Sequence, residues 1–209
     1  MIILAVSTSA KHPSAAVYMD ETNANSLNCR GVMLLKSDES ARPHSVSLCA
    51  LVDEVLQEAG LTVSDVDEFA VDIGPGSFTG VRIGVSFINA LAFSCGKPVI
   101  SVPSLAALRN LAPSPEGTVC TMLDARNGNG YAAVYENGEC VLEPCACVKS
   151  EILERLPNDA VCVGDAFDAE HECSASLVIL EALENAHPSA PSAVPLYLRP
   201  SQAERMRKE

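Results

Sequence analysis

The stretch DIGPGSFTGVRIG, residues Asp72 to Gly84, decides how the chain is read. It lies between an apolar run, Phe69-Ala70-Val71, and a helix-like run from Val85 onward, so it predicts a strand, a glycine turn and a helix. Glycine turns of this kind often cradle phosphates on the amides of a helix N-terminus. The stretch is not a P-loop, because Val81-Arg82 stands where that motif needs Lys and Ser/Thr. It also misses the dinucleotide fingerprint by one residue, reading G-x-G-x-x-x-G. Two readings stay open. Gly74, Pro75, Gly76, Ser77, Thr79 and Gly80 form a candidate anion site, with Ser77 or Thr79 as the helix cap. Alternatively, the glycines serve a tight turn and a close backbone approach.

The helix that follows is unusually apolar. Between Val81 and Cys95 the one charged residue is Arg82. Val81, Val85, Ile88, Ala92 and Cys95 make one apolar face, and Ile83, Phe87, Leu91 and Ser94 another. Ser86, Ala90 and Ser94 form a strip of small residues along which a second helix can approach closely. One face can cover the chain's own sheet; the remainder needs a neighbouring element or a partner. The candidate interface stripe is Arg82, Ser86, Asn89, Ala90 and Phe93.

Outward from this stretch, strands are predicted at 2–7, 15–19, 31–36, 69–73 and 99–102, with helices at 44–59, 79–95 and 104–111. Gly60 and the Gly96/Pro98 pair are the stop signals of the two long helices. A second β-rich part follows, with strands at 118–123, 131–135, 140–147 and 160–163, a turn at Asn137-Gly138, and helices at 150–156 and 176–186. Ala15-Ala-Val-Tyr18 recurs 117 residues later as Ala132-Ala-Val-Tyr135, and the same offset carries Ser7 onto Asp124. Matched tetrapeptides in matched strand patterns imply a duplicated α/β unit with a cleft between two lobes, 1–102 and 103–209.

Composition narrows the function. The chain of 209 residues carries a net charge of −13, against the basic stripe that a protein gripping nucleic acid by itself requires. Its basic cluster, Arg199 to Lys208, reads as a solvated terminus or a contact site. The nine Cys sit mostly in apolar runs and are expected to be reduced core thiols; Cys145-Ala-Cys147, without a nearby His or second pair, is a weak metal signal. Met1 to Val6 is too short for a signal segment, and no apolar run is expected to reach the length of a membrane span, so a cytoplasmic location is expected.

GPGSFTGVRIG after a short strand resembles the signature of the TsaB (YeaZ) family. Further likeness lies in Ile3–Ser9 (ILAVSTS), in His44 at a helix start, and in PVISVPSLAAL at 98–108. LDAR at 123–126 with Tyr131 behind it, and PLYLRP at 195–200, complete it. The resemblance implies an α/β, two-lobed, duplicated ribonuclease H-like fold of the actin, sugar kinase and Hsp70 type. It implies a non-catalytic role in making threonylcarbamoyladenosine beside the anticodon of tRNA. It implies a heterodimer with a TsaD-like catalytic subunit, a TsaE-like ATPase as a further partner, a homodimer when the chain is alone, and tRNA contact only through the complex. The contact it implies runs along helices 44–59 and 80–95, adding Leu48 to the stripe above. No cofactor, catalytic residue or metal site is expected. Where enzymes of this fold place an Asp at the end of the first strand, this chain has Ser7; Asp124-Ala-Arg-Asn lacks the glycines of a second phosphate turn, and Gly164-Asp165 is what remains of an adenosine-binding part. The alternatives are a kinase-like enzyme of the same fold, a metal-dependent peptidase-like protein, and a self-associating binding module. His12, His44, His171 and His187 lack the i, i+4 pairing of a helical metal site.

Overall fold

A computed structural model describes residues 1–20, 31–40, 42–185 and 187–199. Cys29 and nearly all of the basic tail lie outside the described residues. The chain runs β1 (Ile2–Ser7), β2 (Ser14–Asp20), β3 (Gly31–Ser37), α1 (His44–Ala59), β4 (Glu68–Asp72), α2 (Phe78–Cys95), β5 (Val99–Val102) and α3 (Ser104–Leu108). It continues through β6 (Thr118–Asp124), β7 (Asn129–Glu136), β8 (Glu139–Val148), α4 (Lys149–Leu153), β9 (Val161–Val163), α5 (Ala175–Glu184) and β10 (Ser189–Ala190).

The duplication is visible in the sheets. One sheet has the order β10-β5-β4-β1-β2-β3, the other β8-β7-β6-β9. In both, the first strand pairs antiparallel with the second and parallel with a later strand, and the second pairs antiparallel with the third. The register corrects one sequence expectation. Tyr18 faces Ile3 and Tyr135 faces Val119, so matching the two AAVY segments puts Ser7, opposite Ser14, on Leu123, opposite Tyr131. The second turn is one residue longer, and Asp124 answers to Thr8 rather than to Ser7.

Helices α1 and α2 cover one face of the six-stranded sheet. Leu51, Val52, Val55 and Leu56 of α1 meet Val81, Val85, Ile88 and Ala92 of α2 over Leu4, Val6, Val17, Phe69 and Val71. Both helices end on a left-handed glycine, Gly60 (φ 68°) and Gly96 (φ 63°), as the stop signals predict. The other face of the sheet is covered by α5, which returns from the second half of the chain, and β10 then extends the sheet beside β5. The 103–209 part therefore contributes to both layers. Core residues from both sheets, α3 and α5 form one continuous cluster between the lobes. The helix predicted at 104–111 is α-helical only to Leu108 and closes as a single 3₁₀ turn. The Asn137-Gly138 turn has both residues at positive φ, 51° and 86°, as a type I′ hairpin requires.

Among the described residues α2 has the length and apolar composition of a membrane span, against the expectation from sequence. It buries one face on the sheet, as a covering helix does.

The described cysteines are free thiols. Burial, with Cys162 alongside, pushes the Cys120 thiol up to about 12. Burial, then the charge of Asp72 beside it, pushes Cys173 well up. The thiolate is the reactive form. With a maleimide probe at neutral pH and mass-spectrometric mapping, the exposed Cys49 and Cys140 are expected to label in the folded protein, and Cys120 and Cys173 only after denaturant is added.

Candidate functional site: the glycine loop, the cleft and the outer face of α2

The loop is built around a carboxylate that the sequence reading passed over. Asp72 ends β4 fully buried. Its Oδ1 accepts from the Ser104 hydroxyl at 2.5 Å and the Gly74 amide at 2.9 Å. Its Oδ2 accepts from the Ser9 hydroxyl and lies 2.8 Å from the Ser7 hydroxyl. Ser7 Oγ is also 2.9 Å from the Cys173 carbonyl. No cation is among these partners; hydroxyls and an amide solvate the carboxylate. Ser7 is thereby consumed inside the fold.

The glycines answer to the segment Thr8-Ser9. A Cβ on Gly76 would lie 2.7 Å from the Ser9 carbonyl oxygen, one on Gly80 1.9 Å from the Thr8 carbonyl oxygen, and one on Gly84 2.4 Å from Thr8 Oγ1. Thr8 Oγ1 donates to the Gly80 carbonyl at 2.7 Å, and the Ser77 amide donates to the Ser9 carbonyl at 2.7 Å. Ser77 is the cap, accepting from the Gly80 amide at 3.2 Å; Thr79 is exposed and does not cap. Pro75 is buried behind a cis peptide. These contacts favour the close-approach reading of the loop, and anion binding there remains a proposal. Gly80→Ala is expected to displace the first turn of α2 and cost about 3 kcal/mol, because a backbone carbonyl cannot yield as a side chain can. Denaturant unfolding with the Gly60→Ala protein beside it checks this, since a Cβ at Gly60 meets nothing within 4 Å and only its φ is strained.

Gly76 and Ser77 open onto a cleft of about 480 Å³ that Lys11, His44, Asp124, Arg126, Tyr131 and Asp165 also line. Lys149 Nζ sits 2.6 Å from Asp124 Oδ1 and, by this bond first, holds that carboxyl below its usual value. Burial raises Asp165, whose Oδ1 accepts the Asp124 amide at 2.6 Å. The turn between them carries Arg126 and Asn127 at positive φ, 65° and 52°. His44 Nε2 lies 3.1 Å from the Lys11 carbonyl. Among the described residues no group of three His, Cys, Asp or Glu is placed to hold a metal.

The predicted interface stripe divides in two. Arg82, Ser86, Ala90 and Phe93 are exposed, Phe93 by 87%. On the neighbouring α1, Val46, Cys49 and Ala50 are exposed as well. Leu48 is not part of this surface: it is 1% exposed and packs into the core beneath α1, which corrects its assignment. Asn89 is half-buried and already bonded. Its Nδ2 donates to the Ala193 carbonyl at 3.0 Å and its Oδ1 accepts the Ala193 amide at 2.8 Å. Arg82 lies over the Phe78 ring at 4.2 Å and donates through Nε to the Tyr197 hydroxyl at 2.8 Å. The sequence carries no local sign of these two contacts, whose partners lie more than a hundred residues away.

The family model described as TsaD, tRNA N6-adenosine threonylcarbamoyltransferase, matches residues 37–160. The tRNA threonylcarbamoyladenosine biosynthesis protein TsaB of Escherichia coli is 32% identical over 182 residues, 81% of this chain and 73% of that protein. The Bacillus subtilis protein of the same name is 32% identical over 143 residues, 68% of this chain and 58% of that one. A tRNA N6-adenosine threonylcarbamoyltransferase of Moorella thermoacetica is 32% identical over 110 residues, covering 49% of this chain and 32% of that enzyme. In structure, YeaZ from Pseudomonas aeruginosa superposes with a TM-score of 0.73 at 28% identity, over 94% of this chain and 99% of that one. The fold is a duplicated α/β fold whose two sheets repeat one strand pattern, and the chain belongs to the TsaB (YeaZ) family.

Proposed function

We propose that the chain is a non-catalytic subunit in the biosynthesis of threonylcarbamoyladenosine in tRNA, where it binds and supports a TsaD-like catalytic subunit. The observation that carries this reading is the outer face of α2. Phe93 stands almost free in water beside the small residues Ala90 and Ser86, on a helix whose opposite face is core. A bare aromatic on a small-residue strip fits a packed helix better than solvent. The partner would be a related fold, since the family model matched here is the one for TsaD. The catalytic role falls to that partner because the carboxylate expected at the end of β1 is replaced by Ser7, whose hydroxyl is buried on Asp72, and because Lys149 neutralises Asp124. A TsaE-like ATPase is a further expected partner, a homodimer through the same face is expected when the chain is alone, and tRNA is reached through the complex in the cytoplasm. The experiment is co-purification of the tagged chain from its own cells with light scattering on the eluate. A stoichiometric TsaD-like subunit, and threonylcarbamoylation by the pair but not by either chain alone, is the expected result. The chain eluting alone overturns the reading.

The cleft favours one second reading, a nucleotide-dependent enzyme, because Ser77, Lys11 and Arg126 converge on a space of about 480 Å³. ATP turnover by the isolated chain that is lost in a Lys11→Ala protein would establish it in place of the first.

A further inference from the structure

The segment after β10 runs back along α2 and then leaves it. Ala193 is bonded on both sides of its peptide to the Asn89 side chain. The Leu196 amide donates to the Ile73 carbonyl, at the start of the glycine loop, at 2.8 Å. Tyr197 stacks on Phe78 with ring centres 4.7 Å apart and takes the Arg82 hydrogen bond. Two residues on, Arg199 reaches the second lobe, donating to Asn129 Oδ1 at 3.1 Å with its guanidinium 5.8 Å from the centre of the Tyr131 ring. Asn129 opens β7 and closes the turn that follows Asp124, its amide donating to the Arg126 carbonyl. Ala193 is buried in the core under α2, and Val194 beside it is 71% exposed.

We propose that Ala193–Arg199 is a clasp that holds the first turns of α2 and the cleft turn at 124–131 in one fixed arrangement, so that Asn89, Arg82 and Tyr197 act as positioning residues for the partner-facing surface. The inference rests on the reading of the α2 face as the docking surface. Its chemistry is plain. Two amide hydrogen bonds, one guanidinium–phenol bond and a stacked ring pair fix five residues of irregular chain against a helix. The second anchor, Arg199, bonds to Asn129 and, among the described residues, not to α2. Loosening one end therefore releases the other only if the segment is the mechanical link.

The test uses the full chain with Tyr197→Ala and Asn89→Ala, and Tyr197→Phe as the conservative control. Amide hydrogen exchange is expected to rise about tenfold within 193–197, along α2 from Phe78 to Asn89 and at residues 125–130, with the rest of the chain unchanged. Affinity for the TsaD-like subunit is expected to fall about tenfold in Tyr197→Ala and much less in Tyr197→Phe, which keeps the ring stack. Exchange that rises only within 193–197 overturns the clasp. Ala90→Trp is measured alongside. If it leaves affinity unchanged, the docking-face reading fails, while the exchange result on the clasp is read independently.

Discussion

Replacing Asp72 by Ala is expected to cost about 3–5 kcal/mol of stability, the range found when one partner of a buried charged network is removed. The carboxylate is fully buried and is the common acceptor of Ser7, Ser9, Ser104 and the Gly74 amide. Those donors come from β1, the turn after it, the start of α3 and the glycine loop, so one deletion takes a partner from polar groups of four segments at once, and Ser7 keeps a second acceptor, the Cys173 carbonyl. A sealed site offers them no water in exchange. Urea unfolding of the two proteins should show a large fall in the midpoint with the slope unchanged. Asp72→Asn keeps the shape, and the hydroxyls can turn to accept from its amide, so its loss should be about half as large. Equal stability of the alanine protein and the parent would mean that the site is open to solvent and that the glycine loop is held in some other way.

How far the sequence carried this picture follows from the range of each interaction. Helix α1 has the predicted bounds, and β5 too, because periodicity, a terminal glycine and β-branched residues are local signals. The same kind of local signal narrowed the α2 cap to Ser77 or Thr79, and the geometry of the turn selects Ser77. Leu48 was misplaced because it lies on the α1 face with Leu51, Val52 and Val55, and only the sheet beneath decides that this face is inward. Asn89 fits the outer stripe by spacing, yet its amide is taken by Ala193 across 104 residues of chain. Asp72 stands two residues before the glycine signature, but its donors are scattered from Ser7 to Ser104, and no pattern in a linear chain gathers them. The return of α5 to the first sheet is a topological choice of the same kind: its apolar composition shows that it is covered, not by what. The offset of Ser7 onto Asp124 failed by one residue because a repeat can be matched at its strands while a turn between them has grown.

If the α2 face docks the TsaD-like subunit as proposed, Ala90→Trp is expected to weaken that complex at least about a hundredfold, roughly 3 kcal/mol, while leaving the fold intact. Ala90 is exposed, one turn after the exposed Ser86 and three residues before Phe93. A methyl and a hydroxymethyl let another helix approach closely, whereas an indole fills the space that the approach requires. Among the described residues no other element lies over this strip to absorb the ring, so the melting temperature and the far-ultraviolet circular dichroism should match those of the parent. Phe93→Ala makes the complementary change, removing an anchor rather than adding a wedge, and should cost about 2 kcal/mol of binding. Arg82→Glu is a poorer probe, because Arg82 also holds Tyr197 and would disturb the clasp. Titration calorimetry of each protein against the catalytic subunit separates the cases. If both substitutions on α2 leave the affinity at the parent value, the apolar face is covered by something else, and light scattering of the chain alone then asks whether that is a second copy of itself.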